Sequence, residues 1–296
     1  MAQTQMALDS LDFDATVALA TKVAPHVDIL EIGTPCIKHN GIELLKTLRA
    51  KFPNNKILVD LKTMDAGFYE AEPFYKAGAD ICTVLGTADI GTIKGVIDVA
   101  NKYGKMAQVD LINVADKKAR TLEVAKLGAH IIGVHTGLDQ QAAGQTPFND
   151  LAMVAGLKTG AKISVAGGVK AATVRQVVDA GADIVVAGAA IYGAADPAAS
   201  AAEITGLARA GNASAGGMGK YLPWALIAGA VLLGLYLLKG GNSVEEMPAA
   251  DTATEQVAPA AEMPAEAAPA ADAAPAEPMP EAAPAAELPA ETAPAN

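Results

Sequence analysis

Two opposite charges stand inside one short apolar run of this 296-residue sequence. In the run KILVDLK, Asp60 and Lys62 lie on either side of a single leucine, and side chains two residues apart in a strand point to the same face. A carboxylate at that spacing would keep the lysine charged and offer an oxygen ligand to a metal ion. Charges within an apolar strand are costly unless they face a polar site. The spacing therefore predicts a site, with a structural ion-pair network as the alternative.

Other ionisable residues also stand within or just after apolar runs. Glu31 supplies a second carboxylate, and the set of Glu31, Asp60 and Lys62 suits Mg²⁺ and the stabilisation of an enediolate. His135 ends the run HIIGVH, and its ordinary pKa of about 6.5 suits a general acid or base. The remaining carboxylates of this kind are Asp9, Asp65 and Asp110.

Small residues end the last two apolar runs. Gly167 and Gly168 end the seventh strand, and Gly188 and Ala189 end the eighth. Backbone N–H groups at such positions often hold phosphate in barrel enzymes, because a missing side chain lets the ligand approach closely. The pair of motifs predicts a phosphate site, although glycines also end strands for ordinary turn reasons.

The elements that must position these residues alternate between strand and helix. Eight apolar runs recur about every 25 residues, with helical patterns between them that often end in glycine. The runs are 6–9, 27–33, 56–62, 81–84, 106–112, 130–135, 162–168 and 183–191. Strands that are apolar on both faces are typical of a covered parallel sheet. A closed (β/α)₈ TIM barrel over residues 1–210 is expected, with the chemistry at the carboxyl ends of its strands. An open doubly wound sheet is the alternative, but no GxGxxG follows the first strand.

Composition changes sharply after the predicted barrel. Residues 211–219 are small and predict a flexible linker, and residues 220–239 predict a single transmembrane helix. Its uncharged stretch, 221–238, has eighteen residues, which is just enough to cross a bilayer. Residues 240–296 hold ten of the seventeen prolines and eleven acidic residues but no lysine or arginine, so we expect a disordered acidic tail.

The charge balance argues against a nucleic-acid partner. The net charge of −11 comes entirely from the tail, which leaves residues 1–239 with no net charge rather than a basic excess. Cys36 and Cys82 offer neither a disulfide framework nor zinc spacing. We therefore expect a catalytic domain in the cytoplasm, held at a membrane through residues 221–238.

Several short motifs resemble one enzyme family. Asp60, Lys62 and Asp65 form the DxKxxD motif of the orotidine-5′-monophosphate decarboxylase superfamily. Together with MALDS (6–10), ILEIG (29–33), TVLG (83–86), VDLIN (109–113), VHTG (134–137) and VAGGV (165–169), the chain resembles the 3-hexulose-6-phosphate synthase branch of that superfamily. The resemblance covers residues 1 to about 210. It implies an aldol condensation of D-ribulose 5-phosphate with formaldehyde to D-arabino-hex-3-ulose 6-phosphate, with Mg²⁺ as cofactor.

The resemblance also implies roles for individual residues. Glu31 and Asp60 would bind the metal, Lys62 would stabilise the enediolate oxygen, and His135 would move the C1 proton. Substrate-binding positions would be Asp9, Asp110, Gly167, Gly168, Gly188 and Ala189. Asp65 would reach the site of a neighbouring subunit, which implies a homodimer with shared active sites.

Two other functions stay open at this stage. The sister activity, 3-keto-L-gulonate 6-phosphate decarboxylase, typically has an arginine shortly after the sixth-strand histidine and another at the eighth strand. This chain has neither, since residues 136–140 read TGLDQ and Ala189 follows Gly188. A membrane-tethered scaffold that only carries the barrel is the other alternative.

Overall fold

The computed structural model describes the backbone of residues 1–215 and the side chains of residues 1–210. Eight strands in this part of the chain form a closed barrel in sequence order, and every neighbouring pair is parallel, including β1 with β8. The strands are β1 Gln3–Leu8, β2 Ile29–Ile32, β3 Lys56–Thr63, β4 Ile81–Leu85, β5 Met106–Asp110, β6 Ile131–His135, β7 Lys162–Ala166 and β8 Ile184–Ala187. The predicted (β/α)₈ barrel is thus confirmed, and the open-sheet alternative is wrong.

Ten α-helices of the described region, with a short 3₁₀ helix at Ala24–His26, connect and cover the strands. They are α1 Phe13–Val23, α2 Thr34–Lys51, α3 Gly67–Lys76, α4 Ile90–Lys102, α5 Lys117–Lys126, α6 Leu138–Ala142, α7 Phe148–Gly156, α8 Ala171–Asp179, α9 Ala189–Tyr192 and α10 Pro197–Ala215. Helix α2 is interrupted at Gly41, whose φ of 63° breaks the helical path. The short helices α6 and α9 and the last helix α10 were not expected from the sequence.

The eighth apolar run divides at Gly188 instead of continuing as strand to residue 191. Strand β8 ends at Ala187, and the carbonyl of Gly188 accepts the N–H groups of Ile191 and Tyr192 at 2.8 and 3.1 Å. These bonds wind the following residues into α9. The turn brings Gly188 and Ala189 to the carboxyl end of the barrel.

Buried apolar side chains form two separate layers. The larger one lies between the strands and the surrounding helices. The smaller one fills the barrel interior and consists of Ala7, Ile29, Leu58, Ile81, Ile131, Ile184 and Val186. Because successive side chains of a strand point to opposite faces, six of the eight strands contribute to both layers, and the partly buried Met106 of β5 and Ala166 of β7 pack against the smaller one. The interior layer closes the barrel below its carboxyl end.

A repeated hydrogen bond joins the strands in pairs at the opposite, amino end. In each pair, the residue that precedes an even-numbered strand accepts the N–H of the second residue of the odd-numbered strand before it. The four pairs are Asp28 with Thr4 (2.8 Å), Asp80 with Ile57 (2.9 Å), His130 with Ala107 (3.2 Å) and Asp183 with Ile163 (2.9 Å). We call these four contacts the base latches. The three aspartates accept through a carboxylate oxygen, and His130 accepts through its imidazole nitrogen.

The C-terminal predictions fall mostly outside the described residues. Helix α10 runs to Ala215, so the linker expected at 211–219 is helical over its first five residues. Alanine supports a helix well, and small size alone is therefore a poor sign of a linker. The predicted transmembrane helix (220–239) and tail (240–296) lie beyond the described part of the chain. Within that part, no helix has both the length and the apolar character to cross a membrane.

Candidate active site

A cavity of about 750 Å³ opens at the carboxyl ends of the strands. Its size suits a small metabolite. Most of the residues predicted from the sequence line it together: Asp9, Glu31, Asp60, Lys62, Asp110, His135, Gly167, Gly168, Gly188 and Ala189. The closed barrel brings them together from seven strands and the turns that follow them, although they are far apart in the sequence.

Asp60 and Lys62 form a direct ion pair at the end of β3. The pairing of β3 with β4 is irregular between Val59 and Thr63, and Lys62 has a positive φ of 46°. Such irregular strand ends often re-aim side chains next to active sites. Here both charges reach the same cavity, and the Lys62 N–H donates to Thr83 Oγ1 at 2.9 Å.

The carboxylate of Asp60 is held by two threonines in addition to Lys62. Thr34 Oγ1 donates to Oδ2 at 2.5 Å, and Thr83 Oγ1 donates to Oδ1 at 2.7 Å. Burial alone would lower the pKa of Lys62, but Asp60 and Asp110 raise it above its ordinary value. Lys62 therefore stays protonated, and Asp60 is fixed in orientation.

Glu31 lies buried on β2 with one hydrogen-bond donor. Gln5 Nε2 donates to its Oε2 at 2.7 Å. Burial, reinforced by the charge of Asp60, raises the pKa of Glu31 to about 8. Two carboxylates that repel each other in a buried cavity are suited to a shared cation, whose charge would relieve the repulsion.

Asp110 and His135 form the second ionisable pair of the cavity. Asp110 Oδ2 lies 2.9 Å from His135 Nδ1 and 3.7 Å from Lys62 Nζ. Burial alone would lower the pKa of His135, but the bond and charge of Asp110 raise it. Burial would likewise raise the pKa of Asp110, but His135 and Lys62 lower it. The pair orients the imidazole, so that Nε2 is the nitrogen available to a ligand.

Asp9 stands at the rim, on the loop that follows β1. Its carboxylate packs against Gly33, where a Cβ atom would collide with Oδ1. Partial burial and the charge of Asp60 raise the pKa of Asp9. Glycine at position 33 is therefore required for Asp9 to face the cavity.

The small residues after β7 and β8 shape the opposite wall. Gly167 and Gly168 have φ values of 114° and 68°, and a Cβ atom on Gly167 would lie 2.6 Å from the carbonyl oxygen of Thr136. Lys170, which the sequence analysis did not select, lines the cavity beside them. A cation next to exposed backbone is a suitable surrounding for a phosphate group.

Asp65 is the one predicted site residue that the structure leaves out of the cavity. It is exposed on the loop after β3, and its Oδ1 accepts only the N–H of Ala66, at 2.7 Å. The side chain does not fold back towards Asp60 in the same chain. A contribution of Asp65 to catalysis would have to come from a second subunit.

Neutral polar residues of the cavity wall were missed by the sequence analysis. They are Gln5, Thr34, Gln108, Gln141 and Ser164. A signal was available for one of them, since Gln108 lies two residues before Asp110 and so shares its face of β5. A polar residue two positions before a charge at a strand end can therefore mark a second side chain of the same cavity.

The closed parallel barrel, with ionisable pairs at its carboxyl edge, defines a (β/α)₈-barrel enzyme. Residues 2–204 match the family model described as "Orotidine 5'-phosphate decarboxylase / HUMPS family", and the chain belongs to this family. Over 209 residues it is 87% identical to the 3-hexulose-6-phosphate synthase of Methylomonas aminofaciens, covering 71% of this chain and 100% of the relative.

Solved structures show the same relationship. The 3-hexulose-6-phosphate synthase structure from Salmonella typhimurium is 40% identical, with a TM-score of 0.69 over 71% of this chain and 99% of that one. The 3-keto-L-gulonate-6-phosphate decarboxylase structure from Vibrio cholerae is 27% identical, with a TM-score of 0.64 over 71% and 98%. The chain is therefore more similar to this synthase than to this decarboxylase.

Proposed function

We propose that this chain is a lyase that condenses D-ribulose 5-phosphate with formaldehyde to give D-arabino-hex-3-ulose 6-phosphate. The similarity to 3-hexulose-6-phosphate synthases over the whole barrel supports this reaction. The structural observation that carries it is the His135–Asp110 pair, which shares one cavity with the Asp60–Lys62 pair. One pair can move a proton, and the other can face the negative charge that this transfer creates.

The geometry assigns a sequence of steps to these groups. The imidazole of His135, oriented by Asp110, removes the proton from C1 of the sugar phosphate. Lys62 stabilises the oxygen that gains charge as the enediolate forms. C1 then bonds to the carbonyl carbon of formaldehyde, and the former carbonyl oxygen takes up a proton. Reactants and product balance without an oxidant or reductant.

The phosphate end of the substrate would supply most of the binding energy. Formaldehyde has almost no surface to bind, so positioning depends on the sugar phosphate. We assign the phosphate to the wall formed by Gly167, Gly168, Gly188 and Ala189, with Lys170 as a nearby cation. Asp9, at the rim, would position substrate hydroxyls.

The carboxylates Glu31 and Asp60 fit a bound Mg²⁺ ion. Within the described residues no three His, Cys, Asp or Glu side chains form a metal-binding group, so the protein would supply two ligands. Mg²⁺ commonly keeps waters and substrate oxygens as its other ligands. When bound, the ion would help to neutralise the charge on the substrate oxygens.

The decarboxylase alternative is less well supported by the cavity. A departing carboxylate calls for a cation near the carboxyl end of β6 or β8. The segment after His135 provides Thr136, Gln140 and Gln141, and Ala189 follows Gly188 at β8. The cavity therefore has no arginine in its described wall, which favours carbon–carbon bond formation.

The reaction can be tested in two parts on the purified chain. Consumption of formaldehyde should require ribulose 5-phosphate and should stop when a chelator removes divalent cations. In deuterated water without formaldehyde, the C1 proton of ribulose 5-phosphate should exchange. Release of CO₂ from 3-keto-L-gulonate 6-phosphate at a higher kcat/KM than the condensation would contradict the proposal.

We also propose a homodimer with shared active sites. Asp65 is exposed beside the exposed apolar side chains Met64, Phe68 and Tyr69, which are 53%, 39% and 84% accessible in the single chain. Such a patch is typical of a subunit contact. Mixing subunits of D60A with subunits of D65A should restore activity, because each mixed dimer would hold one site with both aspartates intact. Mixing D60A with H135A, two residues of the same cavity, should not.

The membrane anchor stays a prediction from the sequence, and we propose that the barrel faces the cytoplasm, where its sugar phosphate substrate is found. The prediction depends on the eighteen uncharged residues 221–238. A chain with this anchor should stay in the membrane pellet after an alkaline carbonate wash. A chain that ends at residue 215 should move to the supernatant.

A further inference from the structure

A second set of polar side chains lies one step deeper in the barrel than the proton-transfer pair. Gln108 precedes Asp110 by two residues on β5, and Gly133 precedes His135 by two residues on β6. Ser164, on β7, pairs in register with Gly133. All three residues line the cavity, and Gln108 and Ser164 are 8% and 1% exposed. We call Gln108, Gly133 and Ser164 the cavity floor.

The floor contains a buried amide without a partner. Within the described part of the chain, Gln108 Oε1 has no hydrogen-bond donor, and neither does Oε1 of the nearby cavity residue Gln5. Unpaired buried polar groups are uncommon, and they often mark a place that a ligand or an ordered water fills. The Gln108 Oε1 atom is itself buried, so the amide can offer it to a small polar molecule in the cavity by rotating about its last side-chain bond.

Gly133 is what allows the amide to lie there. A Cβ atom at this position would be 3.1 Å from Gln108 Nε2 and 3.3 Å from Ser164 Oγ, both closer than ordinary contact. The amide N–H and the serine hydroxyl therefore meet at one point against the bare backbone of β6. Two hydrogen-bond donors converge directly below His135.

The space below the floor is closed. The interior apolar layer, which includes Ile29, Leu58, Ile81, Ile131 and Ile184, fills the barrel at this depth. A ligand at the floor must therefore be very small, and it must be reached from the mouth of the cavity. The floor cannot accommodate the sugar phosphate, which needs most of the cavity.

We propose that the cavity floor is the subsite for the one-carbon aldehyde, with Gln108 and Ser164 as its positioning residues. This inference rests on the proposed condensation. The aldehyde carbonyl accepts hydrogen bonds but donates none, and it requires donors where its oxygen gains charge. The Gln108 N–H and Ser164 hydroxyl provide two donors within the reach of a molecule placed beneath C1 of the sugar.

The amide also suits the product of the step. As C1 bonds to the aldehyde carbon, the electron pair of the C=O bond moves to oxygen, which takes the proton that His135 removed from C1. The new hydroxymethyl group then has a hydrogen to donate, and Gln108 Oε1 is an acceptor without a donor. One amide can thus contact the aldehyde before the bond forms and the hydroxyl after it.

The test separates aldehyde binding from proton transfer. In Gln108→Leu, we expect KM for formaldehyde to rise at least tenfold, while KM for ribulose 5-phosphate and the rate of C1 proton exchange stay within twofold. Ser164→Ala, a smaller change, should raise the same KM about threefold. Gly133→Ala should also raise it, because the added methyl group displaces the amide.

The matched control is Thr121→Val on α5, which removes a buried, unpartnered hydroxyl outside the cavity and should leave all three quantities unchanged. An unchanged KM for formaldehyde in both Gln108→Leu and Ser164→Ala would overturn the subsite, as would an equal loss of exchange and condensation. A wild-type chain that exchanges the C1 proton but does not condense would instead contradict the proposed function.

Discussion

The two ends of the barrel hold their ionisable groups in opposite electrostatic surroundings. At the amino end, each base latch joins a side chain to a backbone N–H, and Asp80 is further paired with Arg49 and Lys105. At the carboxyl end, Glu31 has one donor and faces the charge of Asp60. Accordingly, the pKa of Asp80 lies below its ordinary value, whereas that of Glu31 is raised to about 8.

This difference shows where the fold is stabilised and where stability is given up. A carboxylate whose pKa is lowered by its partners contributes to the free energy of unfolding at neutral pH, and one whose pKa is raised reduces it. The base therefore holds the strands together, while the mouth keeps charges that are useful only to a ligand. The following substitutions test this division, from the largest expected effect to the smallest.

Glu31→Gln should separate activity from stability most clearly. We expect kcat/KM for the condensation to fall about 10³-fold, because one of the two proposed Mg²⁺ ligands is lost. In the presence of a chelator, the free energy of unfolding at pH 7 should rise by about 1 kcal/mol, because Glu31, with its pKa raised to about 8, must take up a proton on folding and the amide need not. Steady-state kinetics and urea denaturation measure the two effects. Glu43→Gln, at an exposed glutamate, is the control and should change neither kcat/KM nor the free energy of unfolding. A Glu31→Gln chain that is less stable than wild type would contradict the comparison between the two ends of the barrel.

Asp110→Asn should change the pH dependence of the reaction. In the proposed reaction His135 acts as a base in its neutral form, so its raised pKa should place the acid limb of kcat/KM above pH 6.5. The substitution removes the charge that raises this pKa, so the limb should move to lower pH and the plateau should fall about tenfold or more. A pH–rate profile of both chains measures this shift. An unmoved limb would show that His135 is not the group that titrates.

Asp80→Ala should destabilise the base without affecting chemistry. Loss of the contacts to Arg49, Lys105 and the β3 backbone should lower the free energy of unfolding by about 2–3 kcal/mol at pH 7. The kcat of the folded enzyme should be unchanged. Asp98→Ala breaks the exposed pair with Lys94 and should cost less than about 1 kcal/mol.

Acid should remove the contribution of the same latch. Burial alone would raise the pKa of Asp80, but Lys105, the Ile57 N–H and Arg49 lower it. The stabilisation is therefore complete above the ordinary value of about 3.9 and is lost as pH falls through the lowered pKa. Denaturation curves between pH 2 and 5 should show a shallower decline for Asp80→Ala than for wild type. Equal slopes would assign the acid sensitivity to other groups.

His130→Asp should have the smallest effect, since it replaces the one imidazole latch by the carboxylate used in the other three. Burial lowers the pKa of His130 in the folded chain. As pH falls below about 6.5, the unfolded chain therefore binds a proton at this residue before the folded chain does. The free energy of unfolding decreases over this range, until pH reaches the lowered pKa. The substitution should remove this part of the pH dependence and change stability at pH 7 by less than about 1 kcal/mol. His39→Asn, at an exposed histidine, should leave the slope between pH 5 and 7 intact.

The eight strands were predictable because each is buried on both sides and so stands out as an apolar run. Their ends were less certain, as β8 shows, since the turn at Gly188 depends on bonds to residues further along the chain. Helix α10 was missed because its alanine-rich sequence lacks a clear apolar stripe. Its position is fixed by packing on α8 and β1 rather than by its own pattern.

The charged members of the site were predictable from their position at strand ends, but their partners were not. Thr83 donates to Asp60 from the neighbouring strand β4. The hydrogen bond from Thr34 to Asp60 depends on where α2 begins. Threonine, glutamine and serine are common on any surface, so their types carry little information without the closed barrel. The place of Asp65, outside its own cavity, depends on a loop that apolar periodicity does not describe.

The base latches have a consequence for how the chain can be divided. Each of them links an odd-numbered strand to the even-numbered strand that follows, so a break at Gly104, between β4 and β5, would leave two complete latches in each fragment. A break within α3 would instead separate Ile57 from Asp80. Two half-barrels cut at Gly104 should therefore reassemble from separate polypeptides more readily than pieces cut at α3.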